Sequence, residues 1–467
     1  MMRPVWGAMI AATLVAGCTL APTYRRPALP VQSAFPDAPA TTQGASAADL
    51  PWRDVVLEPR LQSLVALALR ENRDLRVAVA DIQRARALYR IQRAELLPAI
   101  DAVGQGVRSR TPPSISTTGQ PVHTEQYSAS LGLAAFEIDL FGRVRSLSAS
   151  ALQSFFAVEQ NRRAVQISLV AEVASAYATL AADQDQLTVI RDTLGARETA
   201  TRLTQSRFDA GASSELDLRQ AQTLTEQARS DAAAAAAQVA QDRNALQLLV
   251  GAPIPAELLP DGKVADLRIL ADLPAGLPSD VLLRRPDVLA AEHTLKARNA
   301  DIGAARAAFF PRITLTGDQG SASKDLDNLF KAGTHAWSFT PQVVLPIFSG
   351  GANLANLSGA RASRDAAVAS YEKSIQVAFR EVSDALAVRA TIEDQVQAQE
   401  RLTSQATDVQ RLTQARYDRG VDGYLALLDA QRSLYAAQRS LVQTRLAEIL
   451  NRIELYRALG GGGAPEA

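Results

Sequence analysis

The chain has little of what catalytic and disulfide-stapled proteins depend on. Its 467 residues hold one cysteine, Cys18, so no internal disulfide can form and no second thiol is present for a metal site. There are three histidines, His123, His293 and His335, scattered and without ligand spacing. All three methionines (Met1, Met2, Met9) lie at the N-terminus. Lysine plus arginine and aspartate plus glutamate are equal at 49 each, which leaves no basic field for a nucleic acid. No later run approaches about eighteen apolar residues, so no transmembrane helix is expected. Phosphate-loop, zinc-protease and nucleophile-elbow motifs are missing. No enzyme activity, cofactor or metal is therefore expected.

What is present begins with a leader. Arg3 precedes an apolar run from Val5 to Val15, then Ala16-Gly17-Cys18. Residues 1–17 read as a signal peptide too short to span a membrane. Small residues ahead of Cys18 fit a lipobox, with diacylation (palmitate among the acyl chains) of Cys18 after cleavage. An ordinary signal peptide with a chance cysteine is the alternative. Thr19 in place of an aspartate favours the outer membrane over inner-membrane retention.

Beyond the leader the chain repeats itself. LTQSRFDAGASSELDLRQAQ at 203–222 and LTQARYDRGVDGYLALLDAQ at 412–431 share ten of twenty positions, including Arg-aromatic-Asp-x-Gly in register with a later Leu-x-Leu. Helix composition accounts for shared Ala, Leu and Gln but not for that register, so the chain reads as two structural repeats. Residues 18–60, rich in Pro, Ala and Thr, form an extended tether. The first repeat, 61–250, runs helix, β-hairpin (99–139), long helix, turn (209–214) and return helix. A linker covers 251–280. The second repeat, 281–459, has its hairpin at 312–348 and its turn at 418–423, and 460–467 is a flexible tail. Each helix leading into a hairpin is expected as one run, the first from Leu61 to Pro98. Each long helix should hold about 65 to 70 residues, roughly 100 Å.

Four strands of about ten residues have the length of membrane-spanning β-strands. Tyr127, Leu131, Trp337 and Phe339 alternate with polar or small residues, which gives one apolar face, with Tyr127, Trp337 and Phe339 candidates for an aromatic girdle. Four strands cannot close a barrel and lipid tolerates no open edge. Three chains would supply twelve strands. A soluble hairpin pair packed on helices is the alternative.

Cys18 with the PTYRRP tail, FEIDLFGRVR at 136–145, LPIFSGG at 345–351 and the doubled RFDAG/RYDRG turn together resemble the TolC-like outer membrane factor family, in particular its OprM-like and NodT-type lipoprotein branch. That resemblance covers nearly the whole mature chain. It implies a mainly α fold with a membrane β-barrel: a homotrimer whose twelve-stranded outer-membrane barrel continues into a long periplasmic α-helical barrel, with 251–280 in an equatorial region. It implies the exit duct of a tripartite efflux pump, partnered by a periplasmic adaptor (membrane fusion protein) and an RND-type, ABC or MFS inner-membrane transporter. The two turns become periplasmic tips that close like an iris. Tyr417 and Asp422 match positions that hold neighbouring hairpins together, Asp217 their partner on the first tip, and Leu425 and Asp429 the constriction ring. Arg432, three residues on, is placed to pair with Asp429. Asp422 departs from the family pattern, because some members carry Arg there. Gly211 and Gly420 permit tight reversals suited to adaptor docking. Protein secretion through an ABC system, and a non-conducting envelope scaffold, are the competing functions.

Overall fold

The computed structural model describes residues 19–36, 51–261, 263–270 and 279–461. The signal peptide, Cys18, parts of the tether and linker, and the tail from 462 lie outside the described residues. The chain forms two compact units. One holds the N-terminal segment to Ala28, Asp81–Glu159 and Ala290–Tyr371; the other holds Leu29–Ala80, Gln160–Leu289 and the chain from Glu372.

The first unit is built on an antiparallel sheet of four strands in chain order: β1 (Ile100–Thr111), β2 (Val122–Ile138), β3 (Arg312–Ser323) and β4 (His335–Val344). The pairing of Leu131 with Gln319, and of Gln319 with Trp337, puts Leu131, Trp337, Phe339 and Tyr127 on one face. Asp101, Gln105, Ser128, Ser130, Asp318 and Ser338 line a shallow cavity along the other. The strands have 12, 17, 12 and 10 residues, so β2 exceeds the length expected. Its extra length contains a bulge between Leu133 and Phe136. Ala135 there has φ of 48°, rare for a residue with a Cβ, and its N–H donates to the Thr316 hydroxyl at 3.2 Å. The inserted residue shifts side-chain parity, so that Phe136 and Ile138 stay on the face of Leu131 and Leu133 (Phe136 opposite Leu315, Ile138 opposite Ile313).

At the base of this sheet Glu137 receives Arg143 through two bonds (2.9 and 2.8 Å) and Arg312 at 2.7 Å. Asp139 accepts the Arg145 backbone N–H at 2.8 Å near the start of the long helix α4 (Arg143–Asp209). The N-terminal segment is strapped alongside. Thr19 meets Ser146 at 3.1 Å, and the carbonyls of Leu20 and Pro22 accept from Arg306 and Asn299. Gly303 makes that close approach possible, since a Cβ would lie 2.8 Å from the Ala21 nitrogen.

The second unit is helical. After α1 (Trp52–Val55), the single run expected from Leu61 is instead two helices, α2 (Pro59–Glu71) and α3 (Arg73–Ala94). The break is at Asn72, whose side chain caps α3 by accepting the Leu75 N–H at 2.9 Å and donates to the Leu249 carbonyl at 2.7 Å. Leu249 closes the return helix α5 (Glu215–Val250), which Gly251 terminates at φ 76° against the Glu71 carbonyl. The second repeat supplies α6 (Pro286–Ala307), which belongs to the first unit from Ala290 on, α7 (Ala352–Asp418), which belongs to the second unit from Glu372 on, and α8 (Tyr424–Ala458). Both long helices, α4 and α7, have 67 residues, about 100 Å each. One correction concerns membrane helices. A window within α4 is apolar enough to cross a membrane by length and composition, although 56% of it is buried inside the protein. Within its Ala- and Val-rich sequence, Ala174, Ala178, Leu180 and Ala181 are buried.

Candidate functional site: the paired helical turns

Both turns reverse the chain by the same backbone device. Gly211 and Gly420 have φ of 73° and 72°, a left-handed conformation that glycine adopts without a Cβ penalty. Around the first, Ala212 N–H donates to the Arg207 carbonyl at 2.7 Å and Gly211 N–H to Phe208 at 2.9 Å. Around the second, Val421 N–H donates to Arg416 and Gly420 N–H to Tyr417, both at 2.9 Å. These paired bonds satisfy the last carbonyls of α4 and α7.

The returning helices start differently. Ser214 caps α5 in a capping box, its hydroxyl accepting the Asp217 N–H at 3.1 Å while the Asp217 carboxylate accepts the Ser214 N–H at 3.3 Å. In the second turn the cap residue is Gly423, with no side chain to offer. Asp422 beside it instead takes both forks of Arg416, at 2.6 and 2.8 Å, and this guanidinium holds the Asp422 carboxyl below the usual carboxylate range. Asp217 and Asp422 thus each brace their own turn.

Between the two turns lies an apolar core of Ala221, Leu224, Tyr424, Leu427 and Leu428, with Tyr417 packed against it. Tyr417 stands 5.6 Å from the Tyr424 ring and 5.0 Å below the Arg207 guanidinium. Tyr424 is hydrogen-bonded to Thr204, and burial raises its phenol pKa. The expected constriction residues are turned away from this core. Leu425 is 61% exposed, and the Asp429 side chain is 66% exposed with Arg432 at 3.9 Å. Four residues apart on one helix, Leu425 and Asp429 share a face. The aromatic trio lies on one face of the sheet. Trp337 is level with Leu131, Phe339 with Leu133, and Tyr127 four residues further along β2, so the three share a face at different heights. The Tyr127 ring covers Gly106 and its hydroxyl accepts from Arg108 at 2.8 Å.

A family model for outer membrane efflux proteins matches residues 64–252 and again residues 277–461. The chain belongs to the outer membrane efflux protein family. Its relatives include the antibiotic efflux pump outer membrane protein ArpC of Pseudomonas putida, 47% identical over 466 residues, 99% of this chain and 96% of that one. The toluene efflux pump outer membrane protein TtgC of Pseudomonas putida matches to the same extent, 47% over 466 residues and the same 99% and 96%. The crystal structure of the open state of the Neisseria gonorrhoeae MtrE outer membrane channel superposes with a TM-score of 0.86 at 40% identity, covering 96% of this chain and 99% of that one. This outer membrane efflux protein is accordingly the outer-membrane channel of an efflux pump in a Gram-negative envelope. It is a homotrimer that pools its strands into one barrel and works with a periplasmic adaptor and an inner-membrane transporter. The expected fold class, outer-membrane location and partners hold, and the family is one of transport components.

Sequence reading missed two features of the helical unit. Arg197 is buried, 7% exposed, and burial lowers its pKa. Asp183 is paired with Asp242 and its pKa is pushed up to about 7, by burial first and then by the hydrogen bond and charge of Asp242. Each looks like an ordinary helix-surface charge in the linear sequence, and the only signal was its replacement in the other repeat, by Ala406 and by Ile392.

Proposed function

We propose that this protein is a passive, non-enzymatic exit duct for antibiotics, organic solvents and similar small molecules, closed at its periplasmic end by the second helical turn. One observation carries the gate. Leu425 and Asp429 are exposed on a helix whose next-door residues Tyr424, Leu427 and Leu428 are buried in the chain's own core. An apolar side chain and a carboxylate that the chain does not use for itself are what a constriction ring requires of each protomer. In a homotrimer three Asp429 carboxylates converge, and such rings favour cations. Arg432 at 3.9 Å is too distant and too exposed to neutralise Asp429. Gly211 and Gly420 make both tips blunt and side-chain-poor, which suits docking of the adaptor. Cys18, acylated, adds a lipid anchor beside the barrel.

The cargo classes rest on the names of the antibiotic and toluene efflux relatives. Catalysis is left to the transporter. In a planar bilayer the purified trimer should show a small, cation-preferring conductance, and Asp429→Ala should raise it and weaken the cation preference. Unchanged conductance and selectivity in Asp429→Ala would remove the gate from this face. No conductance from either protein, with insertion verified, would favour a scaffold.

A further inference from the structure

The first hairpin carries its charges on an unexpected side. On the apolar face of the sheet, Ile138 beside Ile313 and Tyr127 beside Ser323 mark two heights. The steps of β3 between them, at about 3.4 Å each and tilted as barrel strands are, rise about 25 Å, the height of the apolar band of a membrane barrel. Over that band the apolar face holds no aspartate, glutamate, lysine or arginine on any of the four strands.

Just beyond Tyr127, at the end of the sheet away from α3 and α4, the pattern changes. Arg108 stands opposite Glu125 and Arg110 opposite His123, all four on the face of Tyr127. Their neighbours on the other face, Val107, Ser109, Thr124 and Gln126, are uncharged. Charges that serve only to keep a hairpin hydrated belong toward the water-filled lumen. Here they turn the other way, at the height where acyl chains give way to headgroups.

The cluster presents net positive charge. Arg108 donates from Nε and Nη2 to the Tyr127 hydroxyl at 3.1 and 2.8 Å and stands 3.4 Å from Glu125 Oε1. Glu125 is thereby balanced, and the Tyr127 hydroxyl, which accepts from Arg108, keeps its own proton to donate. Arg110 is exposed and has no hydrogen bond or ion pair among the described residues. It follows Arg108 by about 7 Å along β1. Two guanidiniums against one carboxylate leave a positive charge in each protomer at the outer rim of the apolar band.

We propose that Arg108, Arg110 and the Tyr127 hydroxyl form a binding site for the phosphate group of an outer-leaflet glycolipid, whose acyl chains lie along the apolar band below. The proposal rests on the apolar face being the membrane wall and is independent of the gate. A guanidinium fork matches two phosphate oxygens at once. A lipid-borne phosphate fits better than a free one, because the same molecule also covers Leu131 and its apolar neighbours beneath the site.

The test measures binding of bisphosphorylated lipid A, and of the same glycolipid with both phosphates removed, to the intact mature trimer in neutral detergent. EDTA is present, so that no divalent cation bridges phosphate to Glu125. The proteins are wild type, Arg110→Gln, and Arg110→Gln combined with Ser109→Arg, which moves the charge one residue and so to the other face. Both positions are exposed, so all three proteins should run as trimers. The wild type should prefer the phosphorylated lipid, and Arg110→Gln should bind it about five- to tenfold more weakly. Adding Ser109→Arg should not restore binding, and excess inorganic phosphate should not displace the lipid. Equal binding of the two glycolipids by all three proteins, or an unchanged preference in Arg110→Gln, would overturn the site and leave the membrane wall standing. Full restoration by Ser109→Arg beside a selective wild type would mean that only rim charge counts, and displacement by inorganic phosphate would mean a site for free anions; either would overturn the proposal. An indifferent wild type beside a selective Ser109→Arg, Arg110→Gln protein would put residue 109 toward lipid and sink the membrane-wall reading together with the site.

Discussion

Glu292 shows how much a single side chain can organise when it is buried. It is 3% exposed, yet it accepts from the Tyr24 hydroxyl at 3.0 Å, from Arg26 Nε at 3.1 Å and Nη2 at 2.8 Å, and from Lys296 at 3.0 Å. Burial alone would raise its pKa, but Arg26 and Lys296 reverse this and hold it below the usual carboxylate range. Because the folded value is depressed, this contribution is present above the unfolded carboxylate pKa and is lost as pH falls through the folded one. Three of its four bonds come from the N-terminal segment, so the strap depends on this one carboxylate. Glu292→Ala should release that segment, each charge-assisted bond being worth about 1.5–3 kcal/mol. Limited trypsin digestion should then cut rapidly after Arg25 while the wild type resists. Equal cleavage rates would show that the backbone contacts to Arg306 and Asn299 suffice.

Pairs of helices carry a different kind of charge. Asp183 on α4 and Asp242 on α5 face each other in the helical unit, and Asp242 Oδ2 is buried without a hydrogen-bond partner while Gln238 donates to Oδ1 at 2.9 Å. A proton held by Asp183 fills that acceptor. The folded pKa of Asp183 is about 7, well above the ordinary aspartate value of 3.8. A raised pKa means the native state binds the proton more tightly, so the contribution is full below about pH 4 and disappears as pH rises through about 7. Asp183→Asn, whose amide donates at every pH, should leave stability near pH 5 little changed and exceed the wild type at pH 8. Thermal denaturation of the trimer across that range checks this, and a wild-type advantage that grows with pH would contradict it. The same scale shows what the sequence disclosed. The doubled Arg-aromatic-Asp-x-Gly was legible because a left-handed glycine leaves a local trace. The break at Asn72 was not, because asparagine is tolerated within helices and what stabilises the break is Leu249, 177 positions away. Arg197 and Asp183 were hidden for a like reason, since their burial is decided by helices that the chain reaches only later. The bulge at Ala135 did leave a mark, the parity shift from Leu131 and Leu133 to Phe136 and Ile138, visible only once a strand was assumed to extend that far.

At the scale of the whole trimer, the sheet's two edges and two faces set the terms. β1 and β4 are its outer strands, and in lipid their unpaired backbone groups must find partners in the next chain. Three chains thereby share one barrel, and any error on the lipid face is repeated three times. Adjacent residues on β4 separate the faces: Phe339, 60% exposed, stands opposite Gly317 on the apolar side, while Ser338 stands opposite Asp318 and contacts its carboxylate on the polar side. An arginine toward lipid costs up to about 2–4 kcal/mol per site, so Phe339→Arg costs the trimer up to roughly 6–12 kcal/mol by the same figure, an upper bound comparable to the entire stability of a typical folded domain. Ser338→Arg meets water and the Asp318 carboxylate instead. We expect Ser338→Arg to fractionate with the outer membrane as a trimer of the wild-type band position with altered ion selectivity, and Phe339→Arg to be lost from that fraction. Because the two positions are neighbours in sequence, a general intolerance of charge in β4 would remove both. Loss of Ser338→Arg with retention of Phe339→Arg would mean that the sheet presents its faces the other way round, with Asp101, Gln105 and Asp318 toward lipid, an arrangement that desolvation forbids unless the barrel itself is wrong.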